Sequence, residues 1–162
     1  SLQISSFLRI KSIGLIAKAQ EKQMEFSITT GLVINHEELD TPYRSFDFGG
    51  YIGFNRYSAE AKPFKTDLQV SINLSGSSST SLLSVNALYG GRYYFINPEK
   101  STKAFVNALI GGVYINESGD DYIDNRFSFG YTAGCFLEID RVMIGVSAES
   151  YNNFIFKLGY RF

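Results

Sequence analysis

The chain of 162 residues is poor in the residues that build catalytic and metal centres. It has no Trp, 3 Pro, a single Cys (Cys135) and a single His (His36). One cysteine excludes an internal disulfide, a thiolate zinc cluster and a CxxC redox pair. One histidine leaves a transition-metal site almost nothing to bind with. His36 falls at the end of an alternating segment beside Glu37 and Glu38, where a solvated histidine is the expectation. No G-x-S-x-G elbow occurs, and Gly49-Gly50-Tyr51-Ile52-Gly53 is followed by no helical pattern, so it is no phosphate loop. Apolar runs stay far below the ~18 residues of a spanning helix. Charge of one sign is missing too. The formal net charge is −1, with no Lys/Arg cluster to neutralise phosphates, so nucleic acid is excluded as a partner. No catalytic residue, cofactor or metal ligand is assigned, and a non-enzyme is expected.

Aromatics are abundant: 14 Phe and 11 Tyr, with 15 Gly. From residue 25 onward the chain reads as strand, turn, strand. Thr66 to Ser75 sets Leu68, Val70, Ile72 and Leu74 against Asp67, Gln69, Ser71 and Asn73, the period of two that a strand requires. The same alternation runs through 25–35, 45–56, 82–96, 103–117, 126–139, 142–150 and 154–162. Eight strands result, most of about 9–14 residues, enough to cross a bilayer when tilted and longer than the usual soluble strand of about 5–6.

The connections alternate in character. Those after the first, third, fifth and seventh strands are acidic or rich in Ser and Gly, which suits exposed loops. Those after the second, fourth and sixth include the tight Asp140-Arg141 turn, which keeps Ile139 opposite Val142 and Glu138 opposite Met143. The C-terminus falls on the side of this second set, the side of short turns in outer-membrane barrels. The pairs Gly49-Gly50, Gly90-Gly91 and Gly111-Gly112 lie inside strands, where they favour the bends of a small closed barrel. Residues 1–24 stand apart from the barrel domain at 25–162. They read as a signal remnant, with Ala17-Lys18-Ala19 before Gln20, or as a structured extension that is helical or adds one or two strands.

The last strand poses the question of solvent. Phe154, Phe156, Leu158, Tyr160 and Phe162 share one face, and Lys157, Gly159 and Arg161 the other. In a membrane barrel the apolar face meets lipid and the polar face the lumen. By parity Arg126, Glu138, Glu149, Lys157 and Arg161 then share the lumen side, where opposite charges should pair and fix the register. Cys135 has the opposite, apolar parity. Glu117, Asp120, Asp121 and Asp124 cluster between 116 and 125, but their spacing is not that of a calcium loop.

The terminal aromatic strand, together with Tyr89-Gly90-Gly91-Arg92-Tyr93-Tyr94-Phe95, its Asn97-Pro98-Glu99-Lys100 turn and Ala104 to Gly112, resembles the small outer-membrane β-barrels of porin fold in Gram-negative bacteria, particularly those of Bacteroidetes. The resemblance covers about residues 25–162. It implies residence in the outer membrane, membrane lipid as a partner, and Phe154, Phe156, Leu158, Tyr160 and Phe162 as the strand read by the insertion machinery. The expectation is therefore an all-β, closed, antiparallel up-and-down barrel of eight strands, non-enzymatic. Its role is structural, adhesive or that of an accessory subunit, with a lumen filled by side chains. The competing reading is a soluble lipocalin-like calyx binding a small apolar ligand. There Phe154, Phe156, Leu158 and Tyr160 would point inward and Lys157 and Arg161 to water.

Overall fold

The computed structural model describes residues 24–37, 45–76, 80–96, 100–119, 121, 123–150 and 153–162. Eight strands follow in order: β1 (Met24–Glu37), β2 (Ser45–Ser58), β3 (Phe64–Gly76), β4 (Thr80–Tyr94), β5 (Thr102–Gly119), β6 (Ile123–Ile139), β7 (Val142–Glu149) and β8 (Asn153–Arg161). Each pairs antiparallel with its neighbours in sequence, and β8 closes against β1 from Ser27↔Arg161 to Asn35↔Asn153. Of the N-terminal stretch only Met24 is among the described residues; whether residues 1–23 are a signal remnant, a helix or further strands lies outside them.

The register fixes the shape. Partners followed once around the wall run from Glu138 to Met143, Gly159, Thr29, Gly53, Ser71, Asn86 and Val113, and return to β6 at Ser128. The path comes back ten residues higher on the same strand. Eight strands with that stagger tilt by roughly 40° and leave an interior just wide enough for side chains to fill.

Two sequence devices make the closure. At the Asp140-Arg141 turn, Asp140 takes a left-handed conformation (φ 56°), which a short polar side chain tolerates, and the expected pairs Ile139↔Val142 and Glu138↔Met143 form. The glycine pairs work by their first member at the sharp approaches. A Cβ on Gly90 would sit 2.2 Å from the Ala108 carbonyl oxygen, and one on Gly111 2.2 Å from that of Ala87, whereas Gly112 faces open space.

Alternation then sorts the side chains. β3 alternates exposed and buried residues along nearly its whole length. Apolar side chains cover the outside: Ile28, Leu32, Ile52, Val70, Ile72, Ile110, Ile144, Phe156 and Leu158 are 41–60% exposed. Aromatics mark both ends of this band. Phe64, Tyr93, Phe95, Tyr160 and Phe162 lie near the chain terminus, and Phe48, Phe127, Phe129 and Phe154 lie toward the other end.

Candidate functional site

The lumen begins with residues whose polar atoms would be costly to bury alone. Near the end where the chain terminates, Asp67 of β3 and Arg92 of β4 are 0% and 2% exposed. Arg92 donates to Asp67 Oδ2 from Nε at 2.9 Å and from Nη2 at 2.5 Å. Asn55 Nδ2 donates to Asp67 Oδ1 at 3.0 Å. The guanidinium lies 3.5 Å from the centre of the Tyr57 ring and 4.7 Å from that of Phe105. This is a charge with its hydrogen bonds supplied and its faces covered by aromatic rings, the arrangement in which buried ion pairs are sustained.

At the same end, Arg161 donates from Nε to Glu138 Oε1 at 2.6 Å and from Nη1 to Glu25 Oε1 at 2.9 Å. Lys65 lies 3.8 Å from Glu25, and Lys103 3.6 Å from Glu138. Because Arg161 also donates to the Asp140 carbonyl at 2.8 Å, it ties β8 to β1, to β6 and to the β6–β7 turn. A packed group of Tyr94, Phe105, Phe136 and Met143 fills the space beside these charges.

Higher in the lumen, Lys157 Nζ donates to Glu149 Oε1 at 2.7 Å and sits 4.1 Å from the centre of the Tyr51 ring. Glu149 also accepts from Asn73 Nδ2 at 3.0 Å and Thr132 Oγ1 at 3.3 Å. Val33, Tyr51 and Ile155 pack at this level. Glu138, Glu149, Lys157 and Arg161 are thus brought together in two stacked groups.

Arg126 is placed elsewhere. It has the inward parity, but its side chain is 45% exposed and pairs with Asp124 and Glu117. The reason is the stagger. β7 pairs with β6 from Thr132↔Glu149 to Ile139↔Val142, with Ser150 still bonded to Tyr131, so residues 123–129 extend past the last β7 partner, and Arg126 has no β7 wall beside it. The hairpin of β5 and β6 projects beyond the wall, and its outer face carries Ile123, Phe127 and Phe129, with Phe127 84% exposed. Among the described residues no group of three His, Cys, Asp or Glu side chains could hold a metal.

Sequence reasoning missed Glu25, Lys65, Asp67, Arg92 and Lys103 as members of the lumen network. The signal was present: Asp67 alternates with Leu68, and Arg92 alternates with Tyr93. Cys135 faces outward. It borders a concavity of about 850 Å³ on the outer wall, along with Leu32, Leu137, Ile144, Phe156 and Leu158.

The orientation of β8 overturns the calyx. Phe154, Phe156, Leu158 and Tyr160 are exposed on the outside, while Lys157 is buried within. A water-soluble calyx would need the reverse, because soluble monomers rarely expose so many large apolar side chains on one wall. An apolar exterior with aromatic rims around a charge-paired interior defines a transmembrane β-barrel of the outer-membrane type. The comparisons agree on the fold. Ail, the attachment invasion locus protein of Yersinia pestis, superposes with a TM-score of 0.59 at 15% identity, covering 85% of this chain and 98% of that one. Neisserial surface protein A gives 0.54 at 10% identity, covering 85% and 94%. The outer membrane enzyme PagL gives 0.53 at 15% identity, covering 83% and 97%. No family model and no curated protein sequence matches the chain. These neighbours carry the class of small eight-stranded outer-membrane barrels and not the narrower Bacteroidetes affinity.

Proposed function

We propose that this chain is a non-enzymatic, non-conducting barrel of the outer membrane that acts through its surface, as a structural, adhesive or accessory subunit. The observation that carries this reading is the packing of the lumen. Two levels of paired charges and two aromatic-aliphatic groups fill it, and the cavity between the levels offers only about 10 Å³ to a water centre. A hydrated ion needs a continuous wet path, and side chains held by partners on several strands supply none. The β5–β6 hairpin supports the adhesive form of the proposal, since Ile123, 72% exposed, presents apolar surface beyond the aromatic rim. Insertion is assigned to the machinery that recognises the Phe154–Phe162 face. A Bacteroidetes-type origin belongs to the same proposal and rests on the Tyr89–Phe95 motif.

The test is reconstitution into planar bilayers. The expected record is indistinguishable from protein-free membrane, and steady single-channel steps would overturn the closed lumen. For the hairpin, cells displaying the barrel with Ile123→Asp should insert it normally and lose surface attachment. Attachment equal to that of the parent would remove the adhesive form.

A further inference from the structure

We propose that the outer wall of β8, β1 and β2 binds one anionic phospholipid of the leaflet at the chain-terminal end, with its phosphate on Arg56 and an acyl chain in the groove beside it. Among the described strand residues of outward parity, Arg56 is the only charged one. It is exposed and has no ion-pair or hydrogen-bond partner among the described residues. Glu60, the acidic residue closest to it in sequence, is paired with Lys62 at 2.7 Å. Its neighbours across the two ladders are Phe26 on β1 and Leu68 on β3, so the wall itself supplies no anion. A lipid-facing arginine is costly at the bilayer centre and nearly free at the interface. The ladder places Arg56 near the interface: Phe26, directly opposite, accepts a hydrogen bond from the backbone N–H of Phe162 at the terminal rim. From there the long side chain reaches the headgroup layer, and its fork matches two phosphate oxygens.

The groove lies on the other side of Arg56, toward the middle of the wall. A concavity of about 370 Å³ is lined there by Ile28, Ile52, Leu158 and Tyr160. Ile28 is the diagonal neighbour of Arg56 across the β1–β2 ladder, a separation of about 7–8 Å. Ile52 stands four residues from Arg56 on the same face of β2. The concavity shares Thr30 and Leu158 with the larger one beside Cys135, so apolar recess continues across the wall. A cation at the rim followed by an apolar recess toward the midplane is the order of phosphate and tail in a lipid of that leaflet. Free phosphate would satisfy Arg56 and leave the recess unfilled. A second copy would fill the recess but bring no carboxylate, because its outward strand faces carry none. A headgroup without an ammonium leaves its phosphate free for the guanidinium, which favours an anionic lipid over a zwitterionic one.

The test is native mass spectrometry of the full chain released from micelles that hold phosphatidylglycerol and phosphatidylcholine in equal amounts. The parent should retain one lipid and prefer phosphatidylglycerol by about fivefold, the effect of one cation near a membrane surface. Arg56→Gln should bring that ratio to one, and Arg56→Lys should keep it above one. Ile52→Trp, which fills the groove with an indole, should lose bound lipid of both kinds. Both positions face outward, away from the lumen network, and far-ultraviolet circular dichroism checks that each variant is folded. Equal ratios in the parent and Arg56→Gln would overturn the phosphate site. Retention of lipid by Ile52→Trp would overturn the groove, and a lipid-free parent dimer would give the wall to a second copy.

Discussion

Removing the Asp67 carboxylate isolates the Arg92 guanidinium, one of the deeply buried charges of this barrel. In Asp67→Ala the Arg92 guanidinium loses both of its bonds to Oδ2, and Asn55 loses its acceptor on Oδ1. What remains are the contacts with the Tyr57 ring at 3.5 Å and the Phe105 ring at 4.7 Å, and a long bond to the Tyr94 hydroxyl at 3.5 Å. A desolvated cation–π contact contributes about 2 kcal/mol, less than the several kcal/mol that desolvation of an uncompensated ion costs. The expected destabilisation is therefore about 3–5 kcal/mol, the range for breaking one side of a buried pair. Replacing both partners in Asp67→Leu/Arg92→Met removes the charge along with its partner and should return stability to within about 1–2 kcal/mol of the parent, or above it. The assay is urea unfolding from phosphatidylcholine vesicles followed by far-ultraviolet circular dichroism, since the chain has no Trp to report. If Asp67→Ala costs under about 1 kcal/mol, or if the double variant is as unstable as the sum of the singles, the lumen network is not a set of desolvated pairs.

Three further outcomes are expected in the same assay. Gly111→Val should prevent folding or cost well over about 2 kcal/mol, because its Cβ would meet the Ala87 carbonyl at 2.2 Å, while Gly112→Ala should stay within about 0.5 kcal/mol; equal effects would remove the role of the first glycine of the pair. Ile52→Lys, at the middle of the outer wall, should cost about 2–4 kcal/mol and Ile123→Lys, on the projecting hairpin, about 0–1 kcal/mol. The opposite order would mean that the bilayer sits elsewhere on the barrel. Arg126→Ala should change stability by less than about 1 kcal/mol, because its ion pairs are exposed; a loss of the size expected for Asp67→Ala would place Arg126 in the enclosed lumen.

The alternation of Leu68, Val70, Ile72 and Leu74 with Asp67, Gln69, Ser71 and Asn73 determined by itself that Thr66 to Ser75 is a two-faced strand. The same local period, set by the pleat, made the eight strands, the Asp140-Arg141 turn and the shared face of Phe156 and Leu158 legible in advance, while only the closed wall shows that this face points outward. β5 shows where that reading ends. Phe105, Leu109 and Val113 are as apolar as Val106 and Ile110, so periodicity there cannot say which face is inside, and only closure of the wall buries the first set. The lumen partners illustrate the same limit at long range. Arg161 meets Glu25 across 136 positions of sequence because β8 closes on β1, and nothing local to either residue encodes that meeting. Arg126 carries the inward parity of Glu138, yet the ten-residue stagger lifts it above the β7–β8 hairpin into solvent. The pleat is a property of neighbouring residues and can be read along the chain. Closure, stagger and the choice of ion-pair partners belong to the whole ring, and only the tertiary structure decided them.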